Sequence, residues 1–87
     1  MKLNVPNNDV DIIALCNTIT NEIKKDYPLM QYTNIFYPYQ QLTIVCDWCL
    51  NRKQFIEYIE KKYGVKYAYY ESYPITYQDA IIFNINK

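Results

Sequence analysis

The stretch from Asn51 to Tyr73, NRKQFIEYIEKKYGVKYAYYESY, changes its apolar period half-way along and so decides the fold class. Asn51 with Gln54 three residues on is a capping-box pattern, and Phe55, Ile56, Ile59 and Tyr63 follow at helical spacing. Glu57 and Lys61 form an i,i+4 pair, while Lys61 and Lys62 suit the negative end of the helix dipole. Gly64, the only glycine of the chain, closes the helix, because it enters the left-handed region without a Cβ penalty. From Val65 the period drops to two. Alternation puts Val65, Tyr67, Tyr69 and Tyr73 on one face of a strand and Lys66, Ala68, Tyr70 and Ser72 on the other.

The same helix-then-strand grammar appears upstream. Asn8 is a good N-cap, Asp9 and Asp11 sit where the dipole favours acids, and Ile12, Leu15, Cys16, Ile19 and Ile23 recur at helical spacing. Pro28 pushes Tyr27 out of the α region, so this helix is expected to end near Asp26. Gln31 to Tyr37 and Gln41 to Cys46 are β-rich runs joined by Pro38-Tyr39-Gln40, which reads as a hairpin; Leu42, Ile44 and Cys46 share its apolar face. Downstream, Pro74 to Asp79 connects to a last strand, Ala80 to Ile85, with Ile81, Phe83 and Ile85 together.

If Lys2 to Val5 is also a strand, the order is β-α-β-β-α-β-β, the split-βαβ or ferredoxin-like arrangement with an extra C-terminal strand. The expected fold is a two-layer α+β sandwich: two helices packed on one face of a mostly antiparallel sheet of four or five strands. Without that first strand the chain reads as two successive α-β-β units, between which no residue-level repeat is visible. With 87 residues, one core and one α+β domain over 1–87 are expected.

Composition narrows the function. Nine acidic residues balance nine basic ones, so no overall field draws the chain to nucleic acid or to an anionic membrane. No apolar run reaches a membrane span and Met1 to Pro6 lacks a signal-peptide core, so no membrane partner and a cytoplasmic location are expected. Three cysteines, an odd number, fit a reducing compartment. Asn, Ile, Lys and Tyr together make 40 of the 87 residues, the imprint of an AT-rich genome.

Catalytic chemistry has little to stand on. There is no histidine, which removes Ser-His and Cys-His pairs and the usual general base near neutral pH, and no glycine-rich phosphate loop. The acids are accounted for by helix dipoles, ion pairs and loops, so the chain is expected to be non-enzymatic, with no catalytic residues, no cofactor and no metal. Cys46-Asp47-Trp48-Cys49 has redox dithiol spacing, but in a working dithiol site the first cysteine sits just before the helix with its thiolate near the amides, whereas here the best helix cap, Asn51, follows both cysteines. A dithiol redox protein using Cys46 and Cys49 is the enzymatic alternative. Metal binding would need a mixed set such as Cys16, Cys46, Cys49 and Asp47. Trp48 is expected to plug the end of the core.

The tyrosines carry the functional expectation. Tyr63, Tyr67, Tyr69, Tyr70, Tyr73 and Tyr77 fall within fifteen residues, and strand alternation cannot bury them all. Tyrosine offers large rigid contact area at small entropic cost. The leading reading is a small protein-binding module, an inhibitor or adaptor, that meets its protein target through Tyr67, Tyr69, Tyr70, Tyr73 and Tyr77. A phage or mobile-element anti-defence role of the anti-CRISPR type fits that profile. The alternative is single-stranded nucleic-acid or nucleotide binding through the same aromatics, with Lys61, Lys62 and Lys66 for phosphates or an acidic partner. Against it, Gln41 to Val45 lacks the basic residue, glycine and aromatics of an RRM strand. An exposed edge strand would also offer a route to a homodimer.

Overall fold

Each helix begins and ends where its capping chemistry dictates. In the computed structural model, which describes residues 3–48 and 50–85, the first helix α1 spans Asp9–Asp26, and the Asn8 side chain accepts from the Asp11 amide at 2.9 Å. The second helix α2 spans Arg52–Tyr63; Asn51 accepts from the Gln54 amide at 3.1 Å, and Gly64 closes it at φ 67°. The strands are β1 (Met30–Phe36), β2 (Gln41–Asp47), β3 (Lys66–Tyr73) and β4 (Gln78–Asn84). A 3-10 turn, Tyr37–Tyr39, and Gln40 in the left-handed region join β1 to β2.

The four strands form one sheet in the order β1-β2-β4-β3, every neighbour antiparallel. Because β2 and β3 both run against β4, they are parallel to each other with β4 between them. Thus β2-α2-β3 is a split βαβ unit whose central slot is filled by the last strand. Residues 3–5 form no strand, and Lys2 lies outside the described residues. The slot expected for an N-terminal strand belongs to β4, which pairs along its length with both neighbours; Leu3 is instead buried as a core side chain. The layered arrangement is the expected one, reached in a permuted chain order.

Both helices bury their apolar stripes on one sheet face. Ile12, Cys16, Ile19 and Ile23 of α1 and Phe55, Ile59 and Tyr63 of α2 meet Ile35, Leu42, Ile44, Cys46, Ile81 and Phe83 from the sheet. β2 and β4 are central and buried on both faces, which is why Ala80 to Phe83 is continuously apolar. No helix of the described residues is long and apolar enough to cross a membrane.

Thr33 is the buried polar exception on β1. Its hydroxyl donates to the Cys16 carbonyl at 2.7 Å, so the Thr20 hydroxyl, 2.8 Å away, must be the donor in their mutual bond. Thr20 in turn accepts from the Thr33 amide, and the Asn34 side chain accepts from the Ile35 amide. Two amides of β1, those of Thr33 and Ile35, two residues apart and so pointing the same way, are thereby closed by side chains. That leaves this edge of the sheet poorly able to add another strand.

Two phenols tie the helices together. Tyr58 donates to Asp26 and Tyr63 to Glu22, each at 2.7 Å. Burial, followed by the Asp26 carboxylate, pushes the Tyr58 hydroxyl up to about 12; burial and then Glu22 push Tyr63 further up. A raised folded-state pKa means the fold holds these protons more tightly than the unfolded chain. The resulting stability is complete below the ordinary tyrosine value of about 10 and is lost as pH climbs through 12. An alkaline titration followed together by tyrosinate absorbance and far-UV circular dichroism is expected to show the last tyrosines ionising only as the helices melt. In Tyr58→Phe/Tyr63→Phe, stability should decline less steeply above pH 10.

Candidate binding face

Among the described residues, no layer covers the sheet face turned away from the helices. Register places Tyr32, Asn34 and Phe36 of β1, Thr43 and Val45 of β2, Ala80 and Ile82 of β4, and Tyr69, Glu71 and Tyr73 of β3 on this open side. At its centre Val45, Ala80 and Ile82 form a second apolar cluster, only 4%, 3% and 6% exposed. Residues on an uncovered face stay that dry only if their neighbours lean over them.

The tyrosines stand around this cluster. Tyr32 and Tyr73 stand on opposite edge strands, roughly 14 Å apart at the usual strand spacing. The Tyr73 hydroxyl, whose pKa is raised first by the charge of Glu71, donates to Glu71 at 3.3 Å. Register sets Tyr32 beside Val45 and Tyr69 beside Ile82, so these rings border the cluster while remaining, with Tyr73 and Phe36, exposed. An aromatic rim around a small apolar centre sets this face apart from singly scattered exposed side chains and makes it the candidate contact surface.

The surface continues onto the β3–β4 turn. Tyr77 adopts φ 56°, a left-handed conformation that costs a bulky residue about 1–2 kcal/mol. It is held there by packing edge-on against Trp48, 5.5 Å between centroids, and by its carbonyl accepting from the Trp48 amide. Ile75 at the tip is 95% exposed. Trp48 is itself nearly half-exposed, not the buried plug expected, since its ring packs on Tyr77 at the β3–β4 turn.

The five tyrosines of the expected site separate into three places. Tyr69 and Tyr73 lie on the open face and Tyr77 at the adjoining turn, whereas Tyr67 and Tyr70 face the helix side of β3. A β-bulge between Tyr67 and Tyr69 resets the alternation, which the regular period of two could not anticipate. Tyr67 packs edge-on against Phe83, and the Arg52 guanidinium stacks 3.7 Å over the Tyr70 ring. All five are exposed. Lys61 and Lys62 belong to the last turn of α2, in the helical layer, and Lys62 lies over the Tyr58 and Tyr63 rings; Lys66 begins β3.

Sequence reasoning missed Tyr32 and Phe36, although their two-residue spacing in the β1 run was the signal that would have paired them. It missed Ile75 because nothing in a loop's composition marks its tip. Cys46 is buried on the helix side of β2, and its dithiol partner Cys49 lies outside the described residues. Burial pushes the Cys16 thiol up, away from reactivity. Among the described residues no three His, Cys, Asp or Glu side chains gather as metal ligands; Cys46 and Asp47 point to opposite faces of β2.

Fold and face together define a two-layer α+β sandwich with one sheet face uncovered and rimmed by aromatics. Comparison of the chain with protein families, with curated proteins and with solved structures finds no match.

Proposed function

We propose that this chain is a non-enzymatic protein-binding module, an inhibitor or adaptor, that lays the open face of its sheet against another protein. The observation that carries the reading is the Val45-Ala80-Ile82 cluster, dry without a covering layer and rimmed by exposed Tyr32, Phe36, Tyr69 and Tyr73. Aromatic anchors around a desolvated centre are the composition of interface hot spots, where one tyrosine commonly contributes about 2 kcal/mol. Inhibition or adaptation then needs no chemistry, only coverage of a target surface.

Charge favours protein over nucleic acid as the partner. Among the described residues Asp47 and Glu71 lie on the open face with Lys66, so a phosphate backbone following the aromatics would meet more repulsion than attraction there. In a pull-down from native extract with nuclease present, the wild-type chain is expected to retain a stoichiometric protein. Tyr69→Ser/Tyr73→Ser should weaken that complex at least about 30-fold, while Lys61→Ala/Lys62→Ala leaves it nearly unchanged. A partner lost on nuclease treatment, or one indifferent to the tyrosine substitutions, would refute the reading.

A further inference from the structure

The two edges of the sheet are not equivalent. On β1, side chains close the Thr33 and Ile35 amides, and α1 packs alongside. On β3, all eight residues are exposed, and beyond Tyr67, whose amide donates to Glu60 at 3.0 Å, no side chain bonds a backbone amide of this strand among the described residues. An edge left this open is a template for another strand.

We propose that the strand it takes is β3 of a second copy, paired antiparallel about a two-fold axis between Ala68 and Tyr69. In that register Lys66 stands opposite Glu71 of the second copy and Tyr67 opposite its Tyr70, each pair made twice. Paired residues must share a face, and residues five apart in a regular strand do not. The bulge at Ala68 removes that obstacle. Lys66 is in register with Asn84 and Glu71 with Ala80, which puts both on the open side, while Tyr67 and Tyr70, in register with Phe83 and Ile81, both face the helices. A bulge and two charges are normally guards against edge pairing. Here their spacing makes the edge complementary to itself.

The helical layer repeats the same symmetry. Glu60 reaches the Tyr67 amide and Arg52 covers Tyr70, so the level of α2 midway between them, Ile56, lies beside Ala68 and Tyr69, where the axis falls. Lys53, Ile56 and Glu60 form one helical stripe lining the groove between α2 and β3. Under the two-fold, the basic end of this stripe faces the acidic end of its copy. An axis perpendicular to the sheet also leaves both open faces on the same side of one eight-stranded sheet. The dimer would thus present two aromatic faces side by side, and a target with two matching sites would gain avidity. The inference rests on the edge alone and stands whether or not the open face binds a protein.

Sedimentation equilibrium of the full chain across a dilution series reaching about 100 μM is the test. The wild type is expected to approach twice its 10.5 kDa mass. Lys66→Glu and Glu71→Lys, each placing like charges opposite one another twice, should raise the dimer dissociation constant about tenfold or more, and the exchanged pair Lys66→Glu/Glu71→Lys should restore it. A wild type that stays monomeric throughout overturns the proposal, as does a dimer that ignores both single substitutions. Should a variant fail to fold, hydrogen exchange of the wild type decides: those amides from Ala68 to Ser72 that point away from β4 must lose protection on dilution, and protection of these amides independent of concentration overturns the assigned edge.

Discussion

Phe55→Ala is expected to melt at least about 12 °C below the wild type. Phe55 is fully buried between the helical layer and the central strands, and its ring meets Tyr27 edge-on, with 5.0 Å between centroids. Truncating such a side chain costs about 3–5 kcal/mol in lost transfer energy and residual cavity. A chain of 87 residues has only roughly 4–13 kcal/mol in total. The effect is large because Phe55 does two things at once. It anchors the first turns of α2, and through Tyr27, which also meets Tyr58, it closes the end of α1 against α2. Phe55→Leu, which keeps most of the volume, should recover much of the loss. Thermal unfolding by circular dichroism measures both; a Phe55→Ala protein melting within a few degrees of wild type would mean that α2 is not held by this ring.

Arg52→Met should be the second severe substitution, costing about 2–4 kcal/mol in chemical denaturation. Asp79 is nearly buried, its side chain 7% exposed, at the point where β4 runs between β2 and β3. Two groups compensate its burial, the Arg52 guanidinium at 2.8 Å and the Ser72 hydroxyl at 2.7 Å. Removing Arg52 leaves a desolvated carboxylate with one neutral donor, and it also uncovers the Tyr70 ring. The converse change is milder. Arg52 is 40% exposed, so in Asp79→Asn water can take over the guanidinium, and the cost should be nearer 1 kcal/mol. Arg52→Met/Asp79→Asn should then be more stable than the sum of the single changes implies, because the stranded charge is gone. Additive single changes would show that the pair does not act as a unit.

These two sites illustrate different degrees of legibility. Phe55 announced itself: it begins an apolar stripe three residues inside a capped helix, and local periodicity is enough to bury it. Asp79 did not, since in the sequence it is one acid near the end of a turn. Its partners Arg52 and Ser72 are 27 and 7 residues away and meet only because α2 starts above the β3–β4 hairpin. Helix limits, caps and the hairpins were readable for the same reason as Phe55, each being set by contacts within about one turn of chain. Whether the N-terminal run is a strand was not legible, because a short β-prone run does not say whether another segment will claim its place. β4 does, with two partners against which its continuous apolar run can be buried on both faces.

The candidate face divides along the same line. That this chain must expose tyrosines followed from counting them against the alternation of one strand. Which ones share a surface did not. A single bulge at Ala68 moves Tyr69 and Tyr73 away from Tyr67 and Tyr70, and Tyr32 joins the first pair from 37 and 41 residues away across two intervening strands. Period and capping act between neighbours in sequence, so the chain alone carried the elements, their order and the layer they form. Sheet order and bulge position are decided by competition among strands for central slots and for a dry face. Only the folded sheet therefore makes, from separate tyrosines, one aromatic surface and, from Lys66 and Glu71, one self-complementary edge.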